Sequence, residues 1–254
     1  MRAVVASLMF AWTVCAQEAT KPPAKPEPPI VRLVQPIGVE AGKSVRLKIR
    51  GQHFDGTNTV TVRGWEGAGT LAALVQSEAK AVTGFDATRI GDRLIEVELV
   101  VPASAPVGTN AAVVVSGVHG VSAPFPLLVL PAGSVTGEKE PNDGFRTAPG
   151  APLPVRVRGA MEAKGDIDVF RVSLKAGTRL RAEVFAARFQ STLDAILTLY
   201  DERFAVVSAV DDSVGRDPML EVAVEEGGDF FVAVGYANDL AASTHEYVLV
   251  LETR

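Results

Sequence analysis

Apolar residues alternate with polar ones in short runs along most of this chain. Val45-Arg46-Leu47-Lys48-Ile49, Val60-Thr61-Val62 and Leu94-Ile95-Glu96-Val97-Glu98-Leu99-Val100 each put one apolar and one polar face on an extended segment, and Ala112-Val113-Val114-Val115 continues the pattern. This period of two predicts half-buried strands, and the Gly, Pro and Asn residues between the runs predict turns. No long helical period interrupts residues 30–130. Gly51 and Gly108 stand where a sandwich needs a sharp turn or a close backbone approach, and Phe54 reads as a core plug. The Ala-rich stretch from Gly64 to Phe85 is long for a sandwich loop and predicts an inserted short helix. Further along, eight strand candidates follow at even spacing, near 154–160, 167–174, 178–186, 194–200, 204–210, 219–224, 229–235 and 245–252. The second region therefore reads as a sandwich or jelly roll.

The N-terminus supplies an address. Arg2 leads an apolar run, Ala3 to Val14, that ends at Val14-Cys15-Ala16 before Gln17. This predicts a signal peptide over residues 1–16, cleaved after Ala16, and hence a secreted or periplasmic protein. The run is short of the ~20 apolar residues that span a bilayer, and no later segment replaces it, so no membrane span is expected. A lipid anchor on Cys15 is disfavoured by the bulky Trp12 and Val14. Residues 17–29 carry Pro22, Pro23, Pro26, Pro28 and Pro29, the composition of an extended spacer. Two domains are then expected, over 30–131 and 132–254. Cleavage after Ala16 removes the one cysteine, which leaves no disulfides. It also takes the formal charge from −5 to −6. With no Lys/Arg block, nucleic acid is not an expected partner; Arg156, Arg158, Arg171, Arg179 and Arg181 sit at alternating or scattered positions of a solvated strand face.

Catalytic chemistry is hard to find. His53, His119 and His245 lie in separate stretches without zinc-ligand spacing and read as turn or edge residues. No nucleophile elbow surrounds a serine, and no Gly-rich phosphate loop opens a helix. No catalytic residue is assigned, and the chain is not expected to be an enzyme. Trp65, Phe189, Tyr200, Tyr236 and Tyr247 could form a binding platform or fill strand faces. Asp194, Asp211 and Asp212 read as turn residues, with a second ion near Asp217 as the other reading. The segment Glu138-Lys139-Glu140-Pro141-Asn142-Asp143 places several hard oxygen donors on a Pro-stiffened piece of backbone, as Ca2+ requires. A solvated acidic linker remains the alternative reading of its composition.

From Glu138 onward the chain resembles the bacterial pre-peptidase C-terminal domain family, which includes collagen-binding domains of clostridial collagenases. The resemblance rests on Glu140-Pro141-Asn142-Asp143, Asp166-Ile167-Asp168-Val169-Phe170, Lys175-Ala176-Gly177-Thr178, Leu193 to Tyr200, Asp211-Asp212 and Glu226 to Val234. It implies structural Ca2+ held by Glu138, Glu140, Asn142 and Asp143, with Asp166 and Asp168 assisting. The first region resembles IPT/TIG-type immunoglobulin-like domains through Gln35-Pro36, Glu40 to Val45, Gly51-Gln52-His53-Phe54, Val101 to Gly108 and Val113 to Gly117. That match speaks to fold more than to activity. The expected fold class is thus all-β: an immunoglobulin-like sandwich followed by a jelly-roll-like one, after a signal peptide and Pro-rich spacer. The expected function is an exported, non-catalytic adhesion or substrate-targeting protein that binds an extracellular protein or polysaccharide. The alternative is an accessory or remnant part of a secreted protease system acting in trans.

Overall fold

The computed structural model describes residues 26–65, 70–72, 75–237 and 241–254. The expected signal peptide and most of the spacer fall outside these residues. The first half contains β1 (Ile30–Gln35), β2 (Val39–Glu40), β3 (Ser44–Gln52), β4 (Thr59–Arg63), β5 (Thr70–Ala72), β6 (Val75–Glu78), a helical turn α1 (Ala87–Ile90), β7 (Arg93–Val100), β8 (Gly108–Gly117), β9 (Gly120–Val121) and β10 (Phe125–Leu130). They build one sheet in the order β1-β3-β7-β6 and a second in the order β2-β10-β8-β4-β5, with β9 on β8. Alternation decides which residues go inside. Leu47 and Ile49 of β3 and Ile95 and Val97 of β7 meet Val60, Val113, Val115 and Val129 of the other sheet in one buried cluster. On the opposite face of the same strands, Arg46 pairs with Glu96 at 3.0 Å.

The second half contains β11 (Val135–Gly137), β12 (Val155–Ala160), β13 (Asp168–Leu174), β14 (Arg179–Phe185), β15 (Ala195–Tyr200), β16 (Val206–Val210), β17 (Met219–Ala223), β18 (Gly228–Tyr236) and β19 (Glu246–Thr253). One sheet runs β11-β12-β19-β14-β17 and the other β13-β18-β15-β16. Leu180, Ala182, Val184, Leu249 and Leu251 from the first sheet pack on Phe170, Val172, Leu197 and Val232 from the second. The fold is all-β, with a separate apolar core between each pair of sheets. A third, smaller cluster joins the halves, where Ile37, Leu128 and Leu130 meet Phe189 and Val248. Polar contacts flank it. The Glu246 carboxylate accepts from the Ile37 backbone at 3.0 Å and from the Gln35 amide at 2.8 Å, and Arg158 donates to the Gly38 carbonyl at 2.9 Å.

All eight strand candidates of the second region form strands, and one strand escaped the pattern. Val135–Gly137 spans three residues, too few to display a period, and pairs in parallel with β12. The helix expected between Gly64 and Phe85 is not what the described residues form: they make β5 and β6 instead. The single helical turn comes just afterwards, where the Asp86 carboxylate accepts from the backbone of Thr88 and Arg89 and caps it. Ala content signalled helix, but the tertiary partners β4 and β7 recruited these residues into sheets. The two glycines divide their expected roles. A Cβ on Gly51 would lie 2.1 Å from the Ile30 carbonyl and 2.3 Å from the Phe54 ring, whereas Gly108 has free space around it but a φ of +125°.

Phe54 is buried as expected, and its ring occupies the space a side chain at position 51 would need. Gly51→Ala is therefore expected to destabilise the first sandwich by overpacking, at about 1–3 kcal/mol. Denaturant unfolding monitored by the Trp65 fluorescence checks it. A midpoint unchanged from the parent protein would show that β1 and Phe54 yield freely.

Candidate metal centre

Three pieces of chain converge at the start of β13. Glu138 follows β11 directly, and its backbone N–H donates to the Arg158 carbonyl on β12 at 3.0 Å. Four residues later the Asn142 carbonyl accepts from the Val169 backbone at 3.0 Å, which lays the acidic segment against β13. Asp168 is the first residue of that strand and is fully buried. Just before it, Asp166 accepts from the backbone of Glu162 at 2.9 Å and so ties down the turn between β12 and β13. The third piece is β19, which delivers Tyr247 from the core side. Its hydroxyl lies 2.6 Å from Asp168 Oδ2 and 3.2 Å from Glu138 Oε2. Opposite Tyr247 in the ladder is Gly159. A Cβ there would come within 2.4 Å of both Glu138 Oε2 and the Tyr247 ring, so only glycine leaves room for these side chains.

Five carboxylates form two overlapping groups, Glu138, Glu140 and Asp168 in one and Glu140, Asp143 and Asp166 in the other, with the oxygens of each within 4.8 Å of one another. Ligands held 2.3–2.6 Å from one ion lie up to about 5 Å apart, so each group has the spacing of a shared hard cation. Asn142 is fully buried with neither amide atom hydrogen-bonded, and Asp168 Oδ1 is buried and equally unpartnered. Unsatisfied buried oxygens are costly and rare; Asp168 belongs to one of the two carboxylate groups, where a cation would supply the missing partner, while the Asn142 Nδ2 donor is not one a cation can serve. The donors are all oxygen, which suits Ca2+ or Mg2+ over softer metals. The electrostatics point the same way. Burial raises the Asp168 pKa from 3.8 to about 8, against the lowering effect of the Tyr247 hydrogen bond and with help from the Glu138 charge. Burial also raises the Glu138 pKa.

All six sequence candidates, Glu138, Glu140, Asn142, Asp143, Asp166 and Asp168, thus stand at this junction. Sequence reasoning missed the two residues that shape it from the other sheet strands, Gly159 and Tyr247. Of the two readings of Tyr247, platform aromatic or filler of a strand face, the structure takes the second: it is a buried core residue with its hydroxyl turned to the carboxylates. Asp217 is no ligand for a second ion: its buried carboxylate accepts from the backbone of Ala186, Ala187 and Arg188 and from the Arg188 side chain. Asp211 and Asp212 are exposed, and Asp194 pairs with Arg216 at 2.7 Å. His245 closes the turn that starts at Ala242, its backbone N–H donating to that carbonyl at 2.9 Å, and its ring is fully buried between those of Phe85 and Tyr236.

No family model and no curated protein matches the chain. Among solved structures it is similar to the pre-peptidase C-terminal domain of a collagenase from Bacillus anthracis, at 12% identity and a TM-score of 0.33, over 41% of this chain and 94% of that one. It is similar to PliG, a periplasmic inhibitor of g-type lysozyme from Aeromonas hydrophila, at 13% identity and a TM-score of 0.34, over 42% of this chain and 98% of that one. It is also similar to the secreted serine protease VesC from Vibrio cholerae, at 9% identity and a TM-score of 0.28, over 85% of this chain and 48% of that one.

The raised pKa of Asp168 fixes a pH dependence in the absence of divalent cations. Unfolded, this carboxyl loses its proton near its ordinary 3.8; folded, it keeps it to about 8. Across that window the folded state binds more protons, so this group's contribution makes stability fall as pH rises. Melting temperatures in chelator at several pH values, compared between the parent and Asp168→Asn, measure it. The variant is expected to lose part of the decline between pH 3.8 and about pH 8. Parallel curves would show that Asp168 ionises normally.

Proposed function

We propose that this chain is an exported, non-catalytic binding or substrate-targeting protein whose second sandwich is stabilised by Ca2+. In this reading residues 1–16 direct export, 17–29 form the spacer, and 30–131 and 132–254 are the two domains, the second akin to pre-peptidase C-terminal domains. The ligand is an extracellular protein or polysaccharide. The observation that carries the calcium reading is the convergence of five carboxylates on a junction where the buried oxygens of Asn142 and Asp168 have no partner. Glu138, Glu140, Asn142, Asp143, Asp166 and Asp168 would supply the oxygens. Bound there, the ion would neutralise carboxylates that otherwise repel in a poorly solvated site, and would fix the 138–143 segment to the start of β13. Catalysis has no place in the proposal, because the sequence pairs no nucleophile with a base and shows no zinc-ligand spacing.

Thermal unfolding with calcium and with chelator tests the metal. An ion that binds only the folded state stabilises by about 2.7 kcal/mol at a hundredfold excess over its dissociation constant, a shift of several degrees for a domain of this size. Glu140→Ala and Asp143→Ala are expected to shrink the increment while leaving the chelated transition nearly unchanged. Both side chains are exposed, which keeps folding intact. Identical melting with and without millimolar calcium returns these residues to a solvated linker. For the non-catalytic part, purified protein is expected to be inactive against broad peptidase and glycosidase substrates; turnover abolished by one substitution overturns it.

A further inference from the structure

The far end of the second sandwich carries a feature that the calcium reading does not use. Each sheet has terminal strands, and several are guarded against added strands. Arg32 lies on β1, Glu78 on β6 and Glu221 on β17. The edge at β13 is covered by the chain itself, since the Arg171 N–H donates to the Pro149 carbonyl at 2.9 Å and the Arg171 carbonyl accepts from the Ala151 N–H at 2.8 Å. β16 differs. It ends its sheet, pairs only with β15, and reads Val206-Val207-Ser208-Ala209-Val210 without a charge or a proline. Val206 is 60% exposed and Val207 43%. Such an edge presents unpaired N–H and C=O groups and invites a further strand.

Beside this edge a groove of about 400 Å3 opens between the two sheets, and Val207, Val222, Val224 and Phe230 line it. Its rim is acidic. Glu202, Glu225 and Glu226 line the same groove, all three exposed and none in a salt bridge among the described residues, with Arg203 as the one cation. The combination selects among occupants. A second copy of this chain, approaching edge to edge, would bring the two acidic rims together, and like charges in register are repelled. A partner strand with alternating apolar and basic side chains meets apolar floor with apolar residues and carboxylate rim with Lys or Arg.

We propose that β16 is a strand-addition site for an extended, basic polypeptide segment of a protein partner. Backbone hydrogen bonds along β16 supply the pairing, the groove takes alternate apolar side chains, and the glutamates set the charge preference. The site is separate from the calcium junction. β13 and β18 pair from Asp168 with Val234 at one end to Leu174 with Gly228 at the other, about 20 Å apart at the rise of a strand. Calcium at the first end is not required for docking at the second.

The test uses the full chain, with calcium and with chelator, and short peptides of alternating valine and lysine or valine and glutamate. Hydrogen exchange and titration are read together. The lysine peptide is expected to bind saturably, less tightly at high salt, and to slow amide exchange in residues 206–210; the glutamate peptide is expected not to bind. Val206→Lys combined with Val207→Lys should weaken binding at least about tenfold with an unchanged melting temperature, since both side chains are exposed. Replacing Glu202, Glu225 and Glu226 by glutamine should weaken it and remove most of the salt dependence without touching the strand. Absence of lysine-peptide binding, equal binding of both peptides, protection elsewhere, or full affinity in the valine variant overturns the proposal. Self-association of the free chain through 206–210 overturns it too, by placing a second copy on the edge.

Discussion

Two carboxyl groups held together, one fully buried and one half-buried, are the constraint around which the second sandwich is arranged. Glu138 and Asp168 share the Tyr247 hydroxyl at the bottom of the junction, and burial raises the pKa of both. Desolvated like charges cannot both ionise cheaply. The chain has two ways to meet that cost, a shared proton or a bound cation, and both need the same geometry. Tyr247 must stay in the core to present its hydroxyl, and position 159 must stay without a side chain. The 138–143 segment must be tied to β13, which the bond from Val169 to the Asn142 carbonyl does. A carboxylate-rich loop on the surface would ask none of this of its surroundings.

The strand pattern was legible because burial on one face of a sheet leaves a period of two in the sequence. Leu180-Arg181-Ala182-Glu183-Val184 shows it directly, with Leu180, Ala182 and Val184 all in the core. Register within each sheet follows from the same alternation, since a one-residue slip would turn these side chains to solvent. The acidic segment was legible for a different reason: its donors lie close together in the sequence. What could not be read were residues whose roles arise from partners distant in the chain. Gly159 looks like any glycine in a strand until Tyr247 and Glu138 are placed beside it. Asp217 looks like a turn residue until its carboxylate is found capping the 186–188 backbone. Ala-rich residues after Gly64 carry helix propensity, yet pairing with β4 and β7 outweighs the few tenths of a kcal/mol per residue at stake.

The site also lies close to the seam between the halves. β12 supplies Gly159 to the carboxylates and, one residue earlier, Arg158 to the Gly38 carbonyl of the first half. β19 likewise supplies Tyr247 on one side and, one residue earlier, Glu246 to the Gln35 amide and the Ile37 backbone. Adjacent residues of a strand point to opposite faces. Each strand therefore turns one residue toward the junction and its neighbour toward the first half. Glu246 itself has a raised pKa through burial, held in check by the Ile37 and Gln35 donors and by the charges of Arg158 and Lys48. The junction and the seam thus draw on neighbouring residues of the same two strands of the second sandwich.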